Sequence, residues 1–233
     1  MLDPTNEWYR KTVELLEAAG KRAPGRYYLG VPDLNGPGEI LSRLRGPEKL
    51  AVDLIENPRR VHEALRKLNR TWLECFHNLM DVIHRYVDGY IYWMGIWSDR
   101  PSTDLQCDFS IMISPEMFDE FFLPYLEEQT EWVERTIYHL DGPGAARHLD
   151  SLLSLPRLTG IQWVPGAGAP PMSEWMDLLR RVQQAGKLLF ITCQDWEVEP
   201  ILKGLSPEGL LVDVRTTTVQ KGREILELAR RLT

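Results

Sequence analysis

Two short patterns carry residue types able to do chemistry. His139-Leu140-Asp141 places an imidazole and a carboxylate two positions apart at the end of an apolar run. Residues i and i+2 of a strand share a face, so both side chains can address one ion or one substrate atom. Cys193 closes another apolar run and offers a thiolate. Imidazole, carboxylate and thiolate are all zinc ligands, and three protein ligands with a fourth position open is the catalytic arrangement. The same residues have a plain structural use, His139 as a hydrogen-bond partner of a neighbouring loop and Cys193 as a small buried apolar residue. The second pattern is Asp104-Leu105-Gln106-Cys107-Asp108. A partly buried carboxylate such as Asp108 can act as an acid or a base. The alternative is a pair of loop carboxylates that form Asx turns. Cys107 would need a base to act as a nucleophile, and no sequence feature names one.

Trp93, Trp97 and Trp163 fall at or near the ends of strand-like runs. Aromatic faces there can wall a ligand pocket or cover the core. Arg26, Arg100 and Arg215 are candidates to pair with substrate carboxylates. His62, His77 and His84 lie on a long helical stretch and His148 follows the His139 loop, so these four read as structural or exposed. Gly142-Pro143-Gly144 and Gly166-Ala167-Gly168 match neither the P-loop nor the dinucleotide fingerprint, so no nucleotide cofactor is expected.

These residues must be positioned by an alternation of strand-like and helix-like stretches. Glu7 to Ala19 reads as a helix stopped by Gly20 and Pro24-Gly25. Two helices follow the first apolar run. The second starts at Asn57-Pro58 and carries Val61, Leu65, Leu68, Trp72, Phe76, Leu79 and Ile83 as one stripe, ending near Asp88-Gly89. A long loop from Gly95 to Ile113 leads to the helix start Ser114-Pro115-Glu116, and Pro124 should kink or break that helix. Six strands are expected: Tyr27–Val31, Tyr90–Met94, Thr136–Leu140, Gly160–Val164, Leu188–Thr192 and Leu210–Val214. Helices are expected near 144–154, 173–185, 197–204 and 219–232. Strands separated by helices imply a parallel sheet, and chemistry in such folds gathers at the carboxyl ends of the strands. There the sequence places Asp33 and Asn35, Trp97, Asp108, His139 and Asp141, Trp163 with Gln162 inside its strand, Cys193, and Arg215. The expected substrate-binding set is Asp33, Asn35, Trp97, Gln162, Trp163 and Arg215.

Composition narrows the function classes. Among 233 residues, 27 are Lys or Arg and 34 are Asp or Glu, a net charge of −7. With no basic run, nucleic acid is not the expected partner. No apolar stretch approaches a membrane span. The start, MLDPTNEWYRK, lacks an apolar signal core, and 3 cysteines are too few for a disulfide framework. A cytoplasmic chain is expected.

Ser114, Pro115, Phe118, Phe121, Pro124 and Tyr125 spell Ser-Pro-x-x-Phe-x-x-Phe-x-x-Pro-Tyr after the loop that begins at Asp104. In this pattern, and in element order from Tyr27 to Leu232, the chain resembles the uroporphyrinogen decarboxylase superfamily. The resemblance implies an α/β fold of (β/α)8 TIM-barrel type, a single barrel-like domain over 1–233. The six strands would correspond to the third to eighth of that barrel, making it incomplete. The superfamily includes corrinoid-linked methyltransferases, which hold zinc with a His-x-Cys pair and a further cysteine near the last strand. His139 matches the histidine, Asp141 stands at the place of the first cysteine, and Cys193 lies one strand early. Gln162 sits near the place of a glutamate ligand of the related methionine synthases. The resemblance therefore implies a methyltransferase-like enzyme acting on a small methylated substrate or a corrinoid. Its zinc ligands would be His139, Asp141 and Cys193, its catalytic residues His139, Asp141 and Asp108, and its partner a corrinoid protein. Two other readings stay open. One is a decarboxylase of a tetrapyrrole-like carboxylate, although the family's N-terminal arginine and aspartate have no counterpart here. The other is a truncated family member serving as a non-catalytic binding or assembly module. An open six-stranded arc exposes edges that invite pairing with a second copy or a second chain completing the barrel.

Overall fold

In a computed structural model, which describes residues 2–232, the first part of the chain is helical. It forms α1 (Glu7–Gly20), α2 (Pro37–Arg45), α3 (Pro47–Glu56) and α4 (Pro58–Ile83). The expected stripe organises them. Val61, Leu65, Trp72, Phe76, Leu79 and Ile83 are all buried, and α4 packs against α1, α2 and α3. Trp72 and Phe76 stack with centroids 5.6 Å apart. Pro58 takes the first helical position, where its missing N–H costs nothing. Asn57 does not cap α4 through its side chain; its amide donates to Asp53 Oδ1 instead. The helix ends at Ile83, earlier than expected, and Gly89 falls in the connection that follows.

Several expectations for this half are corrected. Tyr27–Val31 forms no strand. It is bracketed by Pro24-Gly25 and Pro32, and Gly30 passes the Ile91 carbonyl too closely for any side chain, since a Cβ would lie 2.6 Å from that oxygen. The expected strand at Tyr90–Met94 shrinks to β1 (Tyr90–Ile91), which pairs antiparallel with β2 (Trp97–Ser98). The expected loop contains a further strand, β3 (Ser102–Gln106), buried at all its positions. A 3-10 turn at Asp108–Met112 follows. The Ser-Pro segment behaves as its residue types require. The Ser114 hydroxyl accepts from Met117 N, and Pro115 opens α5 (Pro115–Phe121). The chain breaks at Phe122, and Pro124 lies in the first turn of α6 (Leu123–Trp132).

The chain groups into two compact units, Met1–Thr136 and Ile137–Thr233. The second is regular and close to expectation. β4 (Arg135–Asp141), α7 (Leu149–Ser154), β5 (Gly160–Val164), α8 (Met176–Gln184), β6 (Leu188–Gln194), α9 (Val198–Gly204), β7 (Leu210–Arg215) and α10 (Val219–Leu232) alternate. β4, β5, β6 and β7 pair in parallel and in sequence order. The fold is thus mixed α/β with a parallel sheet. Within this unit the sheet stays open, with β7 paired only to β6 among the described residues. No described helix is long and apolar enough to cross a membrane.

The α4 stripe supplies the first quantitative expectation. Leu65 is fully buried whereas Leu44 is 75% exposed. Leu65→Ala should cost about 2–5 kcal/mol in urea denaturation, while Leu44→Ala should stay within about 0.5 kcal/mol of wild type.

Candidate functional site

The register of the parallel sheet sorts its side chains. His139 lies opposite Gln162, Gln162 opposite Phe190, Thr192 opposite Asp213 and Gln194 opposite Arg215. Side chains alternate along each strand. One face therefore carries Ile137, His139 and Asp141, then Gln162, then Phe190, Thr192 and Gln194, and finally Leu211, Asp213 and Arg215. The other face carries Tyr138, Leu140, Ile161, Trp163, Leu189, Ile191 and Cys193, all buried, followed by Val212 and Val214. Every polar side chain of the carboxyl halves of β4 to β7 except the Cys193 thiol falls on the first face.

Four of the expected site residues fall on this face. His139 Nδ1 lies 2.6 Å from Gln162 Oε1. With Nδ1 protonated, the ring donates to this amide oxygen and leaves Nε2 as its acceptor nitrogen. Asp141 follows two residues on, half-buried on the same face. Arg215 shares this face but lies three strands away, roughly 14 Å at about 4.8 Å per strand step. Thr192 and Asp213 were not among the expected residues. Counting alternate positions outward from His139 would have found them, had the register been known.

Two expectations fail by alternation. Trp163 points to the opposite face, is fully buried and packs against Trp175 with centroids 5.0 Å apart, so it is a core residue and no substrate contact. Cys193 likewise faces away from His139 and Asp141 and is 2% exposed. Burial and the carboxylates of Glu197 and Asp213 push its thiol up to about 12, far from the thiolate that zinc needs. The expected His139, Asp141 and Cys193 ligand set is therefore not assembled by this sheet; the His139–Asp141 pair is.

The first unit holds a polar cluster of its own residues. Asp33 Oδ1 accepts from Asn35 N at 2.8 Å and from Gln106 Nε2 at 3.0 Å. Asn35 sits at φ 55°, a left-handed conformation that asparagine tolerates. Asp33 and Asn35, expected to meet substrate, thus form an Asx turn fastened to the end of β3. Asp108, expected as a catalytic carboxylate, is exposed on the turn after β3. Beneath it Glu39, 7% exposed, accepts from Phe109 N at 2.6 Å. Burial raises the Glu39 carboxyl above its usual range, with the neighbouring Asp108 charge adding to the effect. Burial raises the Cys107 thiol as well, which leaves it a poor nucleophile. Nothing in the sequence around Glu39 marked it for burial. Trp97 lies elsewhere in this unit, half exposed in a cleft with Tyr28 and Arg26. Trp93 and Arg100 are exposed.

No protein-family model matches this sequence, and no curated protein matches it either.

The raised carboxyl of Glu39 sets a pH dependence. Above the free-glutamate value of 4.5 the unfolded chain releases a proton that the folded protein still holds. Stability contributed by this residue is therefore lost as pH rises through the raised value. In urea denaturation between about pH 4 and about pH 8, Glu39→Gln should gain on wild type until pH passes the raised value. A difference that stays constant across that range would show that Glu39 does not titrate in this way.

Proposed function

We propose that the chain is a methyltransferase-like enzyme of the uroporphyrinogen decarboxylase superfamily, with the polar face of β4 to β7 as its reaction surface. It would act in the cytoplasm on a small methylated substrate or on a corrinoid carried by a partner protein. The observation that supports this reading is the segregation of His139, Asp141, Gln162, Thr192, Gln194, Asp213 and Arg215 onto one face of a parallel sheet. In a (β/α)8 barrel the corresponding face is the interior, and its carboxyl end is where substrates bind. The four strands in sequence order are what part of such a barrel requires.

In this reading Gln162 holds the His139 ring in one orientation and keeps the lone pair on Nε2. That is the support a metal-binding or basic histidine needs. Asp141 presents a carboxylate on the same face. A zinc ion held by His139 and Asp141 would supply Lewis acidity toward the methyl donor or acceptor. Its remaining protein ligand must come from outside β4 to β7, because Cys193 faces the other way. Arg215 is too distant to touch an atom beside His139. It suits a carboxylate at the far end of an extended substrate, or one presented on a partner's cofactor.

Metal analysis by mass spectrometry on the purified protein tests this reading. Wild type and Cys193→Ser should each carry about one zinc per chain, and His139→Ala should lose it. Gln162→Leu should weaken zinc binding roughly 10–100-fold while the protein stays folded. Absence of zinc from wild type, or retention of it by folded His139→Ala, would sink the zinc-dependent mechanism.

A further inference from the structure

A cleft of about 630 Å³ in the first unit is lined by Arg26, Tyr27, Tyr28, Tyr86, Asp88 and Trp97. Tyr27, Tyr28 and Trp97 are 44%, 58% and 48% exposed. Large aromatic side chains left this open in a concave surface are costly unless something covers them. Three of the rings are nevertheless held in place. Tyr27 Oη donates to the Ala19 carbonyl at 2.8 Å. Tyr86 lies against Gly20, where a Cβ would come within 2.2 Å of the ring. The Trp97 indole lies on Gly89, where a Cβ would sit 2.4 Å from Nε1. Gly89 is also at φ 84°, so glycine serves both the turn and the ring. The aromatic walls are therefore built in advance of any ligand, which lowers the ordering cost of binding.

The geometry and charge select the ligand. Tyr28 and Trp97 have centroids 5.9 Å apart and planes inclined at 45°. A flat ring would need a parallel slot. Inclined faces make a corner that suits a rounded group, and the negative faces of the rings favour a cation. Asp88 adds a carboxylate to the same cleft, and Arg26 adds a fixed positive charge. Among the described residues neither of these two takes part in an ion pair. A neutral sugar would leave both charges unused, and a simple cation would leave Arg26 unanswered. A small molecule carrying both charges answers each.

We propose that this cleft binds a small quaternary-ammonium zwitterion of the betaine type. Its methylated ammonium group packs against Trp97, Tyr28 and Asp88, and its carboxylate pairs with Arg26. The inference stands on the first unit alone and does not rest on the reaction proposed above. The cleft is larger than trimethylglycine, so longer betaines belong to the same class.

Calorimetric titration of the full chain with trimethylglycine, its isostere 3,3-dimethylbutanoate, in which a neutral carbon replaces the ammonium nitrogen, and choline tests it. Wild type should prefer trimethylglycine over the isostere by about tenfold or more, because only the ammonium gains from the ring faces. Trp97→Ala should abolish binding of trimethylglycine and choline alike. Should Trp97→Ala fail to fold, Arg26→Gln keeps the test open. That change of an exposed residue should weaken trimethylglycine about tenfold and leave choline unchanged. Equal binding of trimethylglycine and 3,3-dimethylbutanoate, or no saturable binding of trimethylglycine to folded wild type, would overturn the proposal.

Discussion

The second half of the chain depends on one constraint, the two-residue alternation of side chains locked across a sheet by its register. Gly160 pairs with Ile137 on one side and with Leu188 on the other, so the parity set by β4 is carried through β5 and β6 to β7. A slip of one residue at any pairing would exchange the two faces of the strand concerned. Trp163 and Ile191 would then leave the core, while Gln162 and Thr192 would enter it without partners. Burying the apolar face and gathering the polar one are the same event. The polar face therefore needs no separate explanation beyond the residues that occupy it.

Both units use a buried carboxylate to hold the turns that follow their strands. Glu197 is 2% exposed and accepts from Gln194 N and from Ser173 N, each at 2.9 Å. It thereby ties the end of β6 to the segment that precedes α8. Glu39 does the same for the turn after β3 through Phe109 N. Backbone donors at such turns would otherwise be buried without acceptors, a cost of about 1–3 kcal/mol each. Burial, with the Asp108 charge adding to it, raises the Glu39 carboxyl, so this fastener is sensitive to pH.

Much of the second unit was legible in the sequence. Its strands are continuous apolar runs and its helices are amphipathic, so Gly160–Val164 and the helix at 219–232 fall where periodicity puts them. The first half was harder for identifiable reasons. β3 reads Ser-Thr-Asp-Leu-Gln, with one apolar residue in five, so its burial leaves no hydropathic trace. Tyr27–Val31 has strand-forming residues, yet it forms no ladder. Pro37 and Pro47 open α2 and α3 in quick succession, and two short helices separated by one glycine resemble a single interrupted one. Of the candidate site, His139 and Asp141 are legible as a pair two residues apart at the end of an apolar run, and Gln162 as a polar residue inside the next run. Trp163 and Cys193 lie at strand ends too. Only the register, which no single strand encodes, reveals that they face the other way.

The polar face is graded from dry to wet. At the β4–β5 end Gln162 and Ile137 are 5% and 7% exposed, whereas Leu211 on β7 is 46% exposed and Asp213 and Arg215 are also open to solvent. A hydrogen bond such as that between His139 and Gln162 is stronger where water is excluded, and so is any charge that develops beside it. At the β7 end a charge pair is screened and contributes little affinity by itself. In the function proposed above, Arg215 would therefore steer or orient an anionic group, and His139 would act at the drier end. Chemistry placed at the β7 end would lack a low-dielectric setting. Recognition placed at the β4 end would have to strip water from a charge before binding it. The sequence order of the strands gives the surface both ends.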